Sequence, residues 1–160
     1  GVSSAASDVY KRQLLATVAD ELADTEMFLS LCYAVVDPEA GAIRWTNTGH
    51  PHAFVIGRDG TAHRLDATDP PLGLGPATLR VQSRPWDVQG DLLAIFTDGV
   101  SDARDAAGQP LGEAKVLDVL RARRAEVPSR IIDGVFAQVS GHMGRARPHD
   151  DQAVVVLRSA

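Results

Sequence analysis

Two rhythms of apolar and polar positions divide this chain. Between 28 and 97 the apolar residues come in short runs, many β-branched or aromatic, cut by turn residues, whereas between 112 and 143 they recur every three or four positions. The first rhythm predicts strands, and the second predicts helices with one buried face. Strands are expected over 28–36 and 42–48, joined by Asp37-Pro38-Glu39-Ala40-Gly41, and over 53–56 and 61–65, joined through Arg58-Asp59-Gly60. Gly49-His50-Pro51 interrupts between these hairpins. The stretch Asp69-Pro70-Pro71-Leu72-Gly73-Leu74-Gly75-Pro76 is expected to be irregular, because proline removes donors and glycine adds freedom. An exposed strand over 79–84 and a central one over 92–97 follow. Helices are predicted over 14–22, with Leu14, Leu15, Val18, Ala19 and Leu22 on one face, and over 112–124, with Val116, Leu117 and Leu120 together. A third helix runs from Ser129, a candidate N-cap, to about Met143, with Ile131, Ile132, Val135, Phe136 and Val139 inward. A loop over 144–148 leads to a final buried strand over 153–157. Strands, then helices, then a strand define an α+β class with mostly antiparallel pairing.

Two strands end in acid. The run Asp91-Leu92-Leu93-Ala94-Ile95-Phe96-Thr97 breaks off into Asp98-Gly99-Val100-Ser101-Asp102, and His149-Asp150-Asp151 leads straight into Gln152-Ala153-Val154-Val155-Val156-Leu157. A buried strand holds a carboxylate rigidly at its tip, and hard divalent cations take such oxygens with waters filling the other positions. Asp98-Gly99 also reads as a plain turn, with Gly99 allowing a sharp bend that leaves the carboxylate uncovered. Asp150 and Asp151 repel one another unless a cation lies nearby. His50 and His149 are either hydrogen-bonding neighbours or participants in the chemistry, and neither belongs to a nucleophilic triad pattern. No His and Cys spacing marks a zinc site, and no glycine-rich fingerprint marks a nucleotide site.

Composition narrows the classes. The 160 residues are 44% hydrophobic and 23% charged, which suits one globular domain with a real core. A net charge of -5 argues against nucleic acid or an anionic membrane surface as partner. Cys32 is the single cysteine, so no internal disulfide forms. No apolar run approaches the roughly 20 residues that span a bilayer, and a cytoplasmic setting is expected. Residues 1–13, with Ser3-Ser4-Ala5-Ala6-Ser7, read as a linker-like or non-native segment before one domain over 14–160.

The ordered set Met27-Phe28-Leu29-Ser30-Leu31-Cys32-Tyr33-Ala34-Val35-Val36-Asp37, Asn47-Thr48-Gly49-His50-Pro51, Pro71-Leu72-Gly73-Leu74, Gly90-Asp91-Leu92-Leu93-Ala94-Ile95-Phe96-Thr97-Asp98-Gly99-Val100 and Asp150-Asp151 resembles the SpoIIE/RsbU-type branch of the PP2C-like (PPM) serine/threonine phosphatases. The resemblance implies an α-β-β-α sandwich, two antiparallel sheets flanked by helices. It also implies a pair of Mn²⁺ or Mg²⁺ ions whose water attacks a phosphoserine or phosphothreonine, without a catalytic side chain beyond the metal ligands. Asp98 matches the ligand of the family's T-D-G motif, beside Gly99, and Asp150 matches the ligand of its D-D motif. Asp151 takes an orienting role, and His50 falls where the wider superfamily often has an aspartate near an auxiliary metal. The implied substrate is a phosphoprotein, of the STAS-type anti-sigma-factor antagonist kind, in regulatory signalling.

The departures from the family pattern set a second expectation. A further bridging aspartate and a glycine carbonyl come, in the family, from strands upstream of the first helix, and nothing before Leu14 resembles them. Gln152-Ala153 stands where an aliphatic residue and threonine are usual, and Asp102 stands for a common glutamate. The chain therefore reads as the C-terminal part of the domain, lacking the first strands, with an incomplete two-metal site and no activity of its own. The alternative is a non-catalytic pseudophosphatase, an interaction module binding a phosphoprotein or anti-sigma partner.

Overall fold

A computed structural model describes residues 13, 17–18, 21–22, 25, 27–75 and 78–159. The strands are β1 (Cys32–Asp37), β2 (Ala42–Asn47), β3 (Ala53–Ile56), β4 (Ala62–Arg64), β5 (Gln82–Pro85), β6 (Leu92–Phe96) and β7 (Val154–Arg158). The helices are α1 (Asp98–Ser101), α2 (Glu113–Arg123) and α3 (Pro128–Met143). Of the helix expected over 14–22 the structure describes residues 17, 18, 21 and 22, all helical; the rest of it and residues 1–12 lie outside the described residues.

The strands form two sheets, ordered β1-β2-β5 and β4-β3-β6-β7. The chain divides into two compact units. One holds Gly1–Val36, Ile43–His50 and Asp66–Arg84; the other holds Asp37–Ala42, Pro51–Leu65 and Pro85–Ala160.

In the first unit the expected long strand over 28–36 shortens to β1, and its early part makes one bridge, with Leu29 and Leu72 exchanging main-chain hydrogen bonds at 2.9 Å each way. The proline-glycine loop is tied at its two ends by Asp69. That buried carboxylate accepts from the Thr68 hydroxyl (3.0 Å), the Thr78 hydroxyl (2.5 Å) and the Arg80 main-chain N–H (2.9 Å). Gly49, with φ at +85°, packs where a Cβ would lie 2.7 Å from the Pro71 ring, so the Asn47-Thr48-Gly49-His50-Pro51 and Pro71-Leu72-Gly73-Leu74 segments meet here.

In the second unit β3 and β6 are interior strands, and their runs are correspondingly apolar on both faces. Antiparallel register places Phe54 opposite Ala94 and Phe96 opposite Val154. The core joins Phe54, Ile56, Leu92 and Phe96 to Val116, Leu117 and Leu120 of α2 and to Ile131, Val135 and Val139 of α3. Each such fully buried side chain contributes about 1.5–3 kcal/mol.

Three expectations are corrected. Ser129 does not cap α3: Val127 is the extended N-cap residue and Pro128 takes the first helical position, where its missing N–H costs nothing. The terminal strand is not buried. Among the described residues it is the sheet edge, with Val155 57% and Leu157 41% exposed while Val154 and Val156 pack on the core. The Asp98-Gly99 segment is the short helix α1 rather than a turn, and Gly99 is not among the glycines with positive φ.

Candidate metal centre

The β6–β7 pairing continues past both strands, and this continuation brings the acid tips together. Beyond Phe96 and Val154, the Thr97 main-chain N–H donates to the Ala153 carbonyl at 3.1 Å. The Thr97 hydroxyl donates to the Asp151 carbonyl and accepts from the Ala153 N–H, each at 2.9 Å. The segment carrying Asp150 is thereby stitched to the segment carrying Asp98. Gln152 adds a further tie, its amide donating to the Gly99 carbonyl at 3.2 Å. The side chain that departs from the family pattern thus closes the junction instead of breaking it.

Asp98 opens α1, and Asp150 stands at the entry to β7. Both are exposed, and both line one cleft of about 220 Å³ with Gly99, Asp102, Ala103, Arg104 and His149. Each carboxylate is oriented from its own neighbour: Asp98 Oδ1 accepts from the Gly99 N–H at 3.1 Å, and Asp150 Oδ1 accepts from the Asp151 N–H at 2.7 Å. Asp151 does not line the cleft, and its carbonyl takes the Thr97 hydroxyl. Gly99 is required by crowding, since a Cβ there would lie 2.3 Å from the Asp151 oxygen.

His50 belongs to the first unit. Its main chain is bracketed by the Asn47 side chain, which accepts from the His50 N–H and donates to the His50 carbonyl, each at 2.8 Å. It is not among the residues lining the cleft.

The donor chemistry of the cleft fits a hard, hydrated divalent ion: the carboxylates of Asp98, Asp102 and Asp150 line it and no cysteine does. Magnesium-like ions keep several waters and use one or two protein carboxylates, so Asp98 and Asp150 are the residues that would hold one. Among the described residues no group of three His, Cys, Asp or Glu side chains is placed to cage a metal.

His52 and Thr97 escaped the sequence reading. Thr97 stood in the sequence only as part of the T-D-G motif, with no role of its own, and His52 carried no signal beyond its place beside Pro51.

The fold is that of PP2C-type phosphatase domains. The SiaA-PP2C domain of Pseudomonas aeruginosa superposes with a TM-score of 0.77 at 16% identity, covering 91% of this chain and 59% of that one. Residues 5–160 match the family model for Stage II sporulation protein E (SpoIIE), and the chain belongs to that family. Among curated relatives, Protein IcfG of Synechocystis sp. is 30% identical over 141 residues, and Phosphoserine phosphatase RsbU of Bacillus subtilis is 24% identical over 145 residues. Either match covers 88% of this chain but only 22% of IcfG and 42% of RsbU. No helix among the described residues is long and apolar enough to cross a membrane.

Proposed function

We propose that this chain is part of a metal-dependent phosphoserine/phosphothreonine protein phosphatase domain, with Asp98 and Asp150 as ligands of a Mn²⁺ or Mg²⁺ centre. The observation that carries the reading is the shared cleft: two carboxylates from the tips of adjacent antiparallel strands line it in a chain of the SpoIIE family. When bound, the ion supplies a nucleophilic water and neutralises charge on the phosphoryl oxygens. The chain's own residues hold and orient. Thr97 and Gln152 lock the two tips in register, Gly99 lets them approach, and Asp151 supports the junction through its main chain. The substrate is a phosphoprotein of the STAS-type anti-sigma-antagonist kind in cytoplasmic signalling. The phosphoserine phosphatase activity in the name of RsbU supports the phosphoprotein part of this reading.

In a chain extended to the length of its relatives, Asp98→Asn and Asp150→Asn should each lower Mn²⁺-dependent hydrolysis of a phosphoserine peptide at least about 100-fold. Groups one step removed from a metal are already worth about 10–100-fold. Hydrolysis undiminished by either change overturns the assignment. The second reading, a pseudophosphatase that binds a phosphoprotein, is favoured by the absence of a three-ligand group among the described residues. Calorimetry of the extended chain separates the two, since no heat of Mn²⁺ binding leaves only the interaction module.

A further inference from the structure

The four-stranded unit contains a polar chain that the metal reading does not use. His52, just before β3, has Nδ1 2.6 Å from Glu113 Oε2 at the start of α2 and Nε2 3.1 Å from the Ser101 hydroxyl at the end of α1. Its ring stacks on Phe96 at the tip of β6, with centroids 4.7 Å apart and planes 8° from parallel. Glu113 is held in turn by Arg64 Nη2 at 2.5 Å, and the Arg64 guanidinium lies 4.6 Å from the centre of the Phe54 ring. At the other end the Ser101 hydroxyl lies 3.1 Å from the main-chain carbonyl of Asp98. A carboxylate only accepts, so Glu113 assigns a proton to Nδ1 and turns Nε2 toward the hydroxyl.

Serine, histidine and glutamate in this order have the outline of a nucleophile, base and orienting acid. Ser101 is only 3% exposed, so no substrate reaches its hydroxyl. The chain ends instead on the residue that delivers the cleft carboxylate. A four-residue helix has too few internal hydrogen bonds to hold itself. Its orientation comes from what it is tied to, and the side-chain tie on this flank is Ser101 to His52.

We propose that His52 is a positioning residue for the candidate metal centre: through Ser101 it holds α1 in the orientation that presents the Asp98 carboxylate to the cleft. This rests on the phosphatase reading for what Asp98 does, but not for how α1 is held.

The test uses the 160-residue chain, Mn²⁺ alone as the probe, and three variants: His52→Phe, which keeps a ring on Phe96 and removes both nitrogens, Ser101→Ala, and the pair combined. Hydrogen exchange reads α1 directly at the Asp102 amide, which donates to the Asp98 carbonyl at 2.7 Å. His52→Phe should speed exchange there about 3- to 10-fold relative to β6 amides, the scale of one hydrogen bond. It should also weaken Mn²⁺ binding about 10–100-fold. Ser101→Ala should do the same, and the double variant should be no worse than the stronger single one, because both cut one path. Unchanged exchange at Asp102 in His52→Phe overturns the proposal, as do fully additive effects or faster exchange with undiminished Mn²⁺ affinity. If the chain extended to the length of its relatives fails to bind Mn²⁺, the metal reading falls, and the Asp102 amide still decides whether His52 holds α1.

Discussion

A methyl group added at Gly99 would sit 2.3 Å from the Asp151 oxygen and 3.0 Å from its carbonyl carbon. Both are main-chain atoms, locked by the Thr97 hydroxyl, so they have no easy escape. Alanine favours a helix over glycine by up to about 1 kcal/mol, but overpacking against fixed backbone costs about 1–3 kcal/mol, and overpacking wins. Gly99→Ala should therefore lower the urea midpoint, and a raised midpoint would refute the crowding argument. Asp69 makes the second case at this scale. Burial pushes its carboxyl up, but the Thr78 hydroxyl, the Arg80 N–H and the Thr68 hydroxyl outweigh burial and hold it below the ordinary 3.8. A depressed carboxylate contributes stability that is complete above its unfolded value and is lost as pH falls through its folded value. Asp69→Asn should thus destabilise at pH 7 by about 1–3 kcal/mol, and urea titrations at falling pH should show the gap to the unaltered chain closing below the ordinary 3.8. A gap that persists unchanged in acid would mean that the carboxylate charge contributes nothing. Asp98 and Gly99 stood out in the sequence because a long apolar run ends on them. His52 did not, since its partners Ser101 and Glu113 lie 49 and 61 positions away and no local pattern joins them.

At the scale of elements, α2 and α3 were legible because three- and four-residue spacing persists over several turns. α1 was not, since four residues are about one turn and carry no period. β7 shows the opposite failure. Val154-Val155-Val156-Leu157 is apolar on both faces, so the run reads as an interior strand, but among the described residues β6 is its one neighbour, which makes it an edge. The alternation is nonetheless real in energy. Ile131, wholly buried on α3, should lose about 2–5 kcal/mol on change to alanine. Val155→Thr, on the exposed face of β7, should stay within about 0.5 kcal/mol. Denaturant midpoints of the two variants check this contrast directly, and a large loss at Val155 would show that this face is covered in solution.

At the scale of the whole molecule, the two-sheet α+β plan and the pairing of acid tips followed from the order of motifs, because adjacency of β6 and β7 carries both aspartates to one place. Completeness of the centre did not follow from order, since it depends on how many ligands converge. The described residues bring two strand-tip carboxylates to the cleft and no three-ligand group, and the chain spans 42% of RsbU and 22% of IcfG. Two carboxylates match an ion held mostly by water, and such an ion binds weakly and exchanges freely. Activating a water and at the same time neutralising a phosphoryl group asks for two fixed metals about 3.5–4 Å apart, a demand that a single hydrated ion does not meet. The 160-residue chain alone should accordingly hydrolyse p-nitrophenyl phosphate with Mn²⁺ no faster than its Asp98→Asn variant. An Asp98-dependent rate in the chain alone would show that its own residues complete the centre, with ligands drawn from outside the described ones.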